Sequence, residues 1–134
     1  MMRRLTVLLA AGALIANGGV AQAREKLTGE QRLAKMLEGR EAGKPNSCIP
    51  SWDTRDMTII DNTAIVYSGG STIWVNRPAN PNQLDNDDIL VTHPTGGQLC
   101  KLDIVTTIDR VGGFTTGIIS LSDFVPYRKV AKKD

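Results

Sequence analysis

His93 is the only histidine of the chain, so any chemistry that needs an imidazole must use it. The nearest acidic residues along the chain are Asp85, Asp87 and Asp88. A hydrolase would use the imidazole as base, a carboxylate to orient it, and a neighbouring Ser or Thr as nucleophile. No Gly-x-Ser-x-Gly turn accompanies the histidine, so the sequence favours an exposed loop histidine. A small hydrolase that uses His93 with nearby Asp residues is kept as the alternative.

The segment Asp85-Asn86-Asp87-Asp88 carries oxygen ligands of the kind that a hard cation prefers. An EF-hand loop beginning at Asp85 would have glycine at its sixth position and glutamate at its twelfth, where this chain has Leu90 and Gly96. The segment is therefore predicted to be an acidic turn. Paired carboxylates for glycoside hydrolysis could come from four further residues, but the sequence does not give the distances between them: Asp53, Asp56, Asp103 and Asp109. We predict no catalytic residue, no metal site and no cofactor.

The N-terminus has the three parts of a secretory signal peptide. Arg3 and Arg4 form a basic start, an apolar run covers 5–16, and the small-residue site Ala21-Gln22-Ala23 follows. A run of 12 residues is shorter than the roughly 20 that a membrane-spanning helix needs. We therefore predict a signal peptide over 1–23 and a periplasmic or secreted mature chain without a transmembrane segment. An uncleaved membrane helix is the alternative.

The two cysteines, Cys48 and Cys100, both lie beyond this signal. An even cysteine count in an exported chain favours a disulfide. A bridge between them would close a loop of about 50 residues and add roughly 3 to 4 kcal/mol by restricting the unfolded chain. A metal site is the alternative, but the chain has no Cys-x-x-Cys and a single histidine.

Composition and charge indicate one globular domain without a nucleic-acid partner. Of the 134 residues, 41% are hydrophobic and 22% are charged. Removing 1–23 takes away two of the 16 basic residues and none of the 14 acidic ones, so the mature net charge is zero. The basic tail over 128–134 is predicted to be a solvated chain end.

Residues 27–42 have the pattern of a helix. Thr28 can cap its N-terminus, and Gln31 completes a capping box three residues later. Three apolar residues fall on one face: Leu33, Met36 and Leu37. This narrow stripe predicts a helix at the edge of the domain.

A β-hairpin is predicted over 63–76, with Gly69 and Gly70 as its two turn residues at positive φ. In that register Val66 lies opposite Ile73, and Ala64 opposite Val75, which makes this face apolar and part of the core. The opposite face pairs two aromatic residues with smaller neighbours. This face is predicted either to lie under the helix or to stay partly open, and as an open surface it has three binding candidates: Ile65, Tyr67 and Trp74.

Further strands are predicted at 88–92 and 98–109, and weaker ones at 57–61 and 116–121. Alternation along 98–109 places Cys100 on the core face of one long strand, together with Leu102 and Ile104. The fold class is therefore α+β and mainly β. One N-terminal helix precedes a five- or six-stranded antiparallel sheet or small barrel.

A set of short segments resembles an uncharacterised family of small exported proteobacterial proteins, a domain of unknown function with a recurring cysteine pair. The resemblance spans 46–127. Its segments are Ser47-Cys48-Ile49, Ile59-Ile60-Asp61, Ala64-Ile65-Val66-Tyr67, Trp74-Val75-Asn76-Arg77, Gln98-Leu99-Cys100 with Asp103, and Leu121-Ser122-Asp123-Phe124-Val125-Pro126. It implies export, the Cys48 to Cys100 pairing and one β-rich domain, and it transfers no catalytic residue. A second cysteine pair that members often carry is absent here.

Together these observations predict a signal peptide over 1–23, a helix and linker over 24–46, a disulfide-linked β domain over 47–127 and a basic tail over 128–134. The favoured function is a non-enzymatic envelope protein that binds an unknown envelope protein or small ligand through an open sheet face. A purely structural or stress-related exported protein is a further hypothesis.

Overall fold

The computed structural model describes Gly12, residues 26–94 and residues 96–131. Within these residues the chain forms one α-helix and ten strands in three antiparallel sheets, none of them closed into a barrel. The mainly β fold with an N-terminal helix is confirmed, whereas the single sheet of five or six strands is wrong. Apart from Gly12, the predicted signal peptide over 1–23 lies outside the described residues.

The elements follow one another along the chain as α1 Gly29–Met36, β1 Arg40–Ala42, β2 Cys48–Pro50, β3 Met57–Ile60, β4 Ala64–Tyr67, β5 Ile73–Asn76, β6 Asp88–Thr92, β7 Gln98–Cys100, β8 Val105–Asp109, β9 Thr115–Ile119 and β10 Phe124–Lys129. The largest sheet has the strand order β1-β10-β5-β4-β3. The second sheet pairs β2 with β7, and the third has the order β6-β8-β9. No helix in the described part of the chain is long and apolar enough to cross a membrane.

Both faces of the five-stranded sheet are covered at its strands β4 and β5. On one face Leu33 of α1 packs into a cluster with Ile60, Ala64, Val66 and Val75. The other face packs against the two smaller sheets in a second, larger cluster that includes Ile49, Ile65, Tyr67, Trp74, Leu99, Val105, Ile119 and Phe124. All four residues of β4 are consequently buried.

Helix α1 begins as predicted, and it ends earlier. Thr28 caps its N-terminus and forms the capping box with Gln31. The helix ends at Met36, because Gly39 takes a positive φ of 73° and the chain then forms β1. β1 pairs with β10, so this segment satisfies its backbone hydrogen bonds in the sheet.

The hairpin of β4 and β5 is present with a different register. Val66 lies opposite Val75, and Tyr67 lies opposite Trp74, a shift of two residues that keeps the predicted faces and changes the partners. Gly69 and Gly70 do not adopt positive φ. A Cβ at Gly69 would lie 2.8 Å from the carbonyl oxygen of Asp53, so glycine is needed there for close approach of two backbone segments.

The long strand predicted over 98–109 is broken into β7 and β8. The Asp103 carboxylate accepts a hydrogen bond of 2.7 Å from the Cys100 amide, and the Asp103 amide donates to the Cys100 carbonyl at 2.9 Å. These bonds close a tight turn, and Leu102 and Ile104 are exposed in it. Their predicted place on the core face is therefore wrong.

The predicted disulfide is confirmed. Cys48 and Cys100 face each other as direct partners of β2 and β7, and their sulfur atoms are bonded at 2.05 Å. The neighbouring pair, Ile49 and Leu99, is buried in the larger cluster. The bridge therefore joins the two strands of the small sheet, and the buried pair beside it packs this sheet into the core.

Candidate functional site

The three binding candidates are core residues. The relative exposures of Ile65, Tyr67 and Trp74 are 0%, 1% and 5%. Their face of the hairpin lies under the two smaller sheets, so the open surface expected at these positions is not there. Their assignment as ligand contacts stays a prediction, and it would require the core to open.

Polar atoms of two candidates illustrate this burial. The Trp74 Nε1–H donates to Asp53 Oδ2 at 3.0 Å. The Tyr67 ring packs against Phe124, with ring centroids 5.9 Å apart. The Tyr67 hydroxyl has no hydrogen-bond partner among the described residues, and burial raises the pKa of this phenol.

The structure does not bring His93 together with the acidic segment. His93 follows the end of β6, whereas Asp88 begins that strand, and five extended residues span roughly 16 Å. His93 instead lines a shallow groove of about 470 Å³ together with Leu102, Asp103, Ile104 and Thr106. The one carboxylate of that groove is already engaged by the Cys100 amide.

The acidic segment and the other candidate carboxylates mainly close turns. An oxygen of Asp85 accepts from the Asp87 amide, and one of Asp61 accepts from the Asn86 amide. Asp109 accepts from the amides of the following turn. No group of three His, Cys, Asp or Glu side chains within 26–94 and 96–131 is arranged to hold a metal ion.

An open sheet face exists elsewhere, on the three-stranded sheet. Leu90, Val105 and Ile119 point inward and pack in the larger cluster. Because side chains alternate along a strand and cross-strand partners share a face, the other side of this sheet is set by its register. We call it the outward face, formed by Ile89, Val91, Thr106, Ile108, Thr115 and Ile118.

The outward face is apolar and uncharged at its centre. Ile89 is 44% exposed and Ile118 is 59% exposed. Ile104, which is 61% exposed, extends the face beyond the start of β8, where it lines the same groove as His93. Arg110 stands at the other end, and its Nε–H donates to the Asp87 carbonyl at 3.4 Å. The arrangement provides a flat apolar surface with polar groups at its two ends.

Comparison of the chain with protein-family models, curated proteins and solved structures finds no match. The site therefore has to be interpreted from its own residues.

Sequence reasoning missed the outward face for an identifiable reason. Strands are predicted at 88–92 and 98–109, but Ile89, Leu90 and Val91 form an unbroken apolar run that distinguishes no polar face. On 105–109 both faces carry β-branched residues, so composition does not distinguish the inward from the outward one. The signal that could have raised the question is Ile104, an apolar residue directly after the turn-forming Asp103.

Proposed function

We propose that this protein is a small exported envelope protein, a member of the uncharacterised proteobacterial family that it resembles, and that it works as a non-enzymatic binding module. The outward face is its contact surface. The observation that carries the proposal is the exposure of Ile89, Ile104 and Ile118 along one uncharged sheet face. The disulfide is consistent with a non-cytoplasmic protein.

The partner is an apolar segment of another envelope protein. A charged segment would lose hydration on this face and find no opposite charge at its centre. The three strands of about five residues cover roughly 17 Å by 14 Å, or about 240 Å². A stable dimer buries about 800 Å² on each partner, so this face suits one helix or strand of a partner better than a second copy of the chain.

Site-specific photo-crosslinking in the periplasm tests this proposal. A photoreactive residue in place of Ile118 is expected to form an adduct with another envelope protein. A photoreactive residue in place of Val130 is the matched control, because Val130 is 49% exposed and follows β10 of the five-stranded sheet. The adduct at position 118 should fall at least about tenfold when Ile104→Asp is added.

The crosslinked species decide the outcome. An adduct at position 118 that persists with Ile104→Asp would show that the apolar face does not carry the contact. Adducts of equal yield at positions 118 and 130 would indicate random encounter. A crosslink to a second copy of this chain would replace the partner protein by a dimer, and would overturn the proposal.

A further inference from the structure

Strand β3 ends the five-stranded sheet, and its outer edge has free backbone groups. The Ser68 amide donates to the Asp56 carbonyl at 2.8 Å, which continues the β3–β4 ladder by one pair. Because hydrogen-bonded pairs alternate in an antiparallel ladder, Thr58 then bonds to β4, and the amides and carbonyls of Met57 and Ile59 point away from it. None of these four groups has a partner among the described residues.

Strand β6 ends the three-stranded sheet in the same way. The Asp109 amide donates to the Phe114 carbonyl at 2.9 Å, so this residue of β8 bonds toward β9. By alternation Ile108 bonds toward β6, where it meets Ile89. The amide and carbonyl of Leu90 consequently point away from β8, toward the free side of the sheet.

These two edges line one groove of about 540 Å³. Met57, Thr58 and Ile59 form one wall, and Asp88, Ile89 and Leu90 form the other. Two hydrogen bonds tie the turn after β3 to the segment before β6: Asn62 N–H to the Leu84 carbonyl at 3.1 Å, and Asn86 N–H to Asp61 Oδ1 at 2.6 Å.

Charge in the groove is unbalanced toward the positive. Arg32 of α1 and Arg110 of the β8–β9 turn both line it, against the single carboxylate of Asp88. That carboxylate accepts a hydrogen bond from the Thr116 hydroxyl at 2.9 Å. No carboxylate of the described residues lies within ion-pair distance of either guanidinium. An acidic group would therefore be attracted here.

We infer that this groove binds an extended peptide segment with an acidic side chain, which adds as a strand to the edge of β3. Main-chain hydrogen bonds to Met57 and Ile59 would hold the segment, and the two arginines would select its acidic residue. This site shares Ile89 and Arg110 with the outward face and its end, but the β3 backbone and Arg32 are not part of that face, and Ile104 and Ile118 are not part of the groove. Each proposal can therefore fail while the other stands.

A second copy of this chain fits the groove less well. In β3 itself, Met57–Ile60, every residue is uncharged, and of the two acidic residues that flank it the Asp61 carboxylate already accepts from the Asn86 amide, so a copied edge offers the two arginines only Asp56. The copied groove would also bring Arg32 and Arg110 toward their own duplicates, and like charges repel. A peptide of another protein avoids both costs.

The test uses a displayed library of short random peptides, panned against the disulfide-bonded protein. The enriched peptides are expected to carry Asp or Glu and alternating apolar residues. Met57→Pro should weaken binding of an enriched peptide at least about tenfold, because proline removes the outward N–H while the β3–β4 ladder stays intact. Met57→Ala is the matched control, since it removes the same exposed side chain and keeps the N–H.

Two further arms keep the test independent of how well Met57→Pro folds. The enriched peptide with alternate backbone nitrogens methylated should lose binding to the unaltered protein. Arg32→Gln and Arg110→Gln should each weaken it about threefold to tenfold, and 1 M salt should reduce that difference. Ile118→Asp should leave the peptide affinity unchanged.

The inference fails on any of three results. Panning that enriches no peptide would show that the edge is not a peptide site. Binding that tolerates backbone methylation would exclude strand addition. A concentration-dependent dimer that Met57→Pro abolishes and Met57→Ala keeps would make a second copy the occupant.

Discussion

Two asparagine side chains connect irregular segments to the sheets. Each side chain donates to one backbone carbonyl and accepts from one backbone amide. Asn76 Nδ2–H donates to the Ser122 carbonyl at 2.7 Å, and its Oδ1 accepts from the Ser122 amide at 3.0 Å. Asn80 makes the same kind of pair with the Ile118 carbonyl and the Ser120 amide. Asn76 is fully buried, whereas Asn80 is partly exposed. The same pair of hydrogen bonds is therefore made once by a buried side chain and once by a partly exposed one.

Because the two side chains differ in burial, we expect their removal to lower the free energy of unfolding by different amounts. Asn76→Ala removes a fully buried side chain and leaves the part-buried amide and carbonyl of Ser122 without these partners, so we expect a loss of about 2 to 3 kcal/mol in the free energy of unfolding. Asn80→Ala is the control and should cost about 1 kcal/mol, because water can replace the lost bonds. Urea denaturation measures both. Equal losses would contradict the role given to burial.

At the scale of elements, α1 is attached to the sheet by packing and by one ion pair. Leu33 enters the apolar cluster, and Arg77 just after β5 forms two hydrogen bonds with the Glu30 carboxylate at 2.5 and 3.0 Å. The hydrogen bond from Arg77 lowers the pKa of Glu30 below its ordinary value. Since both side chains are more than half exposed, water and salt screen most of this attraction.

The lowered pKa gives this attachment a pH dependence. A carboxyl whose pKa is lower in the folded state stabilises it above the unfolded pKa, and that contribution disappears as pH falls through the folded value. At pH 7, Glu30→Gln should lower the free energy of unfolding by less than about 1 kcal/mol. The two proteins should converge as the pH falls below the ordinary carboxyl pKa and through the lowered pKa of Glu30. A difference that grows on acidification would contradict this assignment.

At the scale of the whole molecule, all three sheets contribute to the larger apolar cluster, and the disulfide joins the two strands of the smallest sheet. The bridge joins residues 52 apart in sequence, and β2 and β7 contribute three residues each. So short a pair of strands is not stable by itself in water. The bridge restricts the unfolded chain and thereby supports the packing of Ile49 and Leu99.

Reduction should therefore destabilise the whole domain in one transition. The protein purified under non-reducing conditions should have an intact mass two hydrogens below that of the dithiol form. Under reducing conditions, or as Cys48→Ala with Cys100→Ala, its free energy of unfolding should fall by roughly 3 to 4 kcal/mol. Unchanged stability in the double variant, compared by urea denaturation, would mean that the bridge does not constrain the unfolded chain.

Much of the local structure follows from short-range signals. Thr28 and Gln31 determine where α1 begins, because a capping box involves only one helical turn. The apolar run of Ile89, Leu90 and Val91 predicts β6 with its bounds. The alternation of side chains along the strands also assigns the two faces of the β4–β5 hairpin correctly, since a register shift of two residues leaves each side chain on its face.

Strands that depend on distant partners were not predicted. β1 and β2 are three residues each and exist through pairing with β10 and β7. β10 contains Pro126, which argues against a strand by local rules, yet its neighbours on both sides supply the pairing. The turn at Asp103 likewise interrupts a run whose alternation predicts one strand.

By itself the sequence determined the helix start and the main strands, because each depends on residue types within a short window, whereas its secretory pattern stays a prediction. Only the tertiary structure decided which sheet face is open. Ile65, Tyr67 and Trp74 are buried because two further sheets fold over them, whereas Ile89 and Ile118 stay exposed because no described element packs on their side. Burial is a property of what packs against a face, and distant parts of the chain supply that partner.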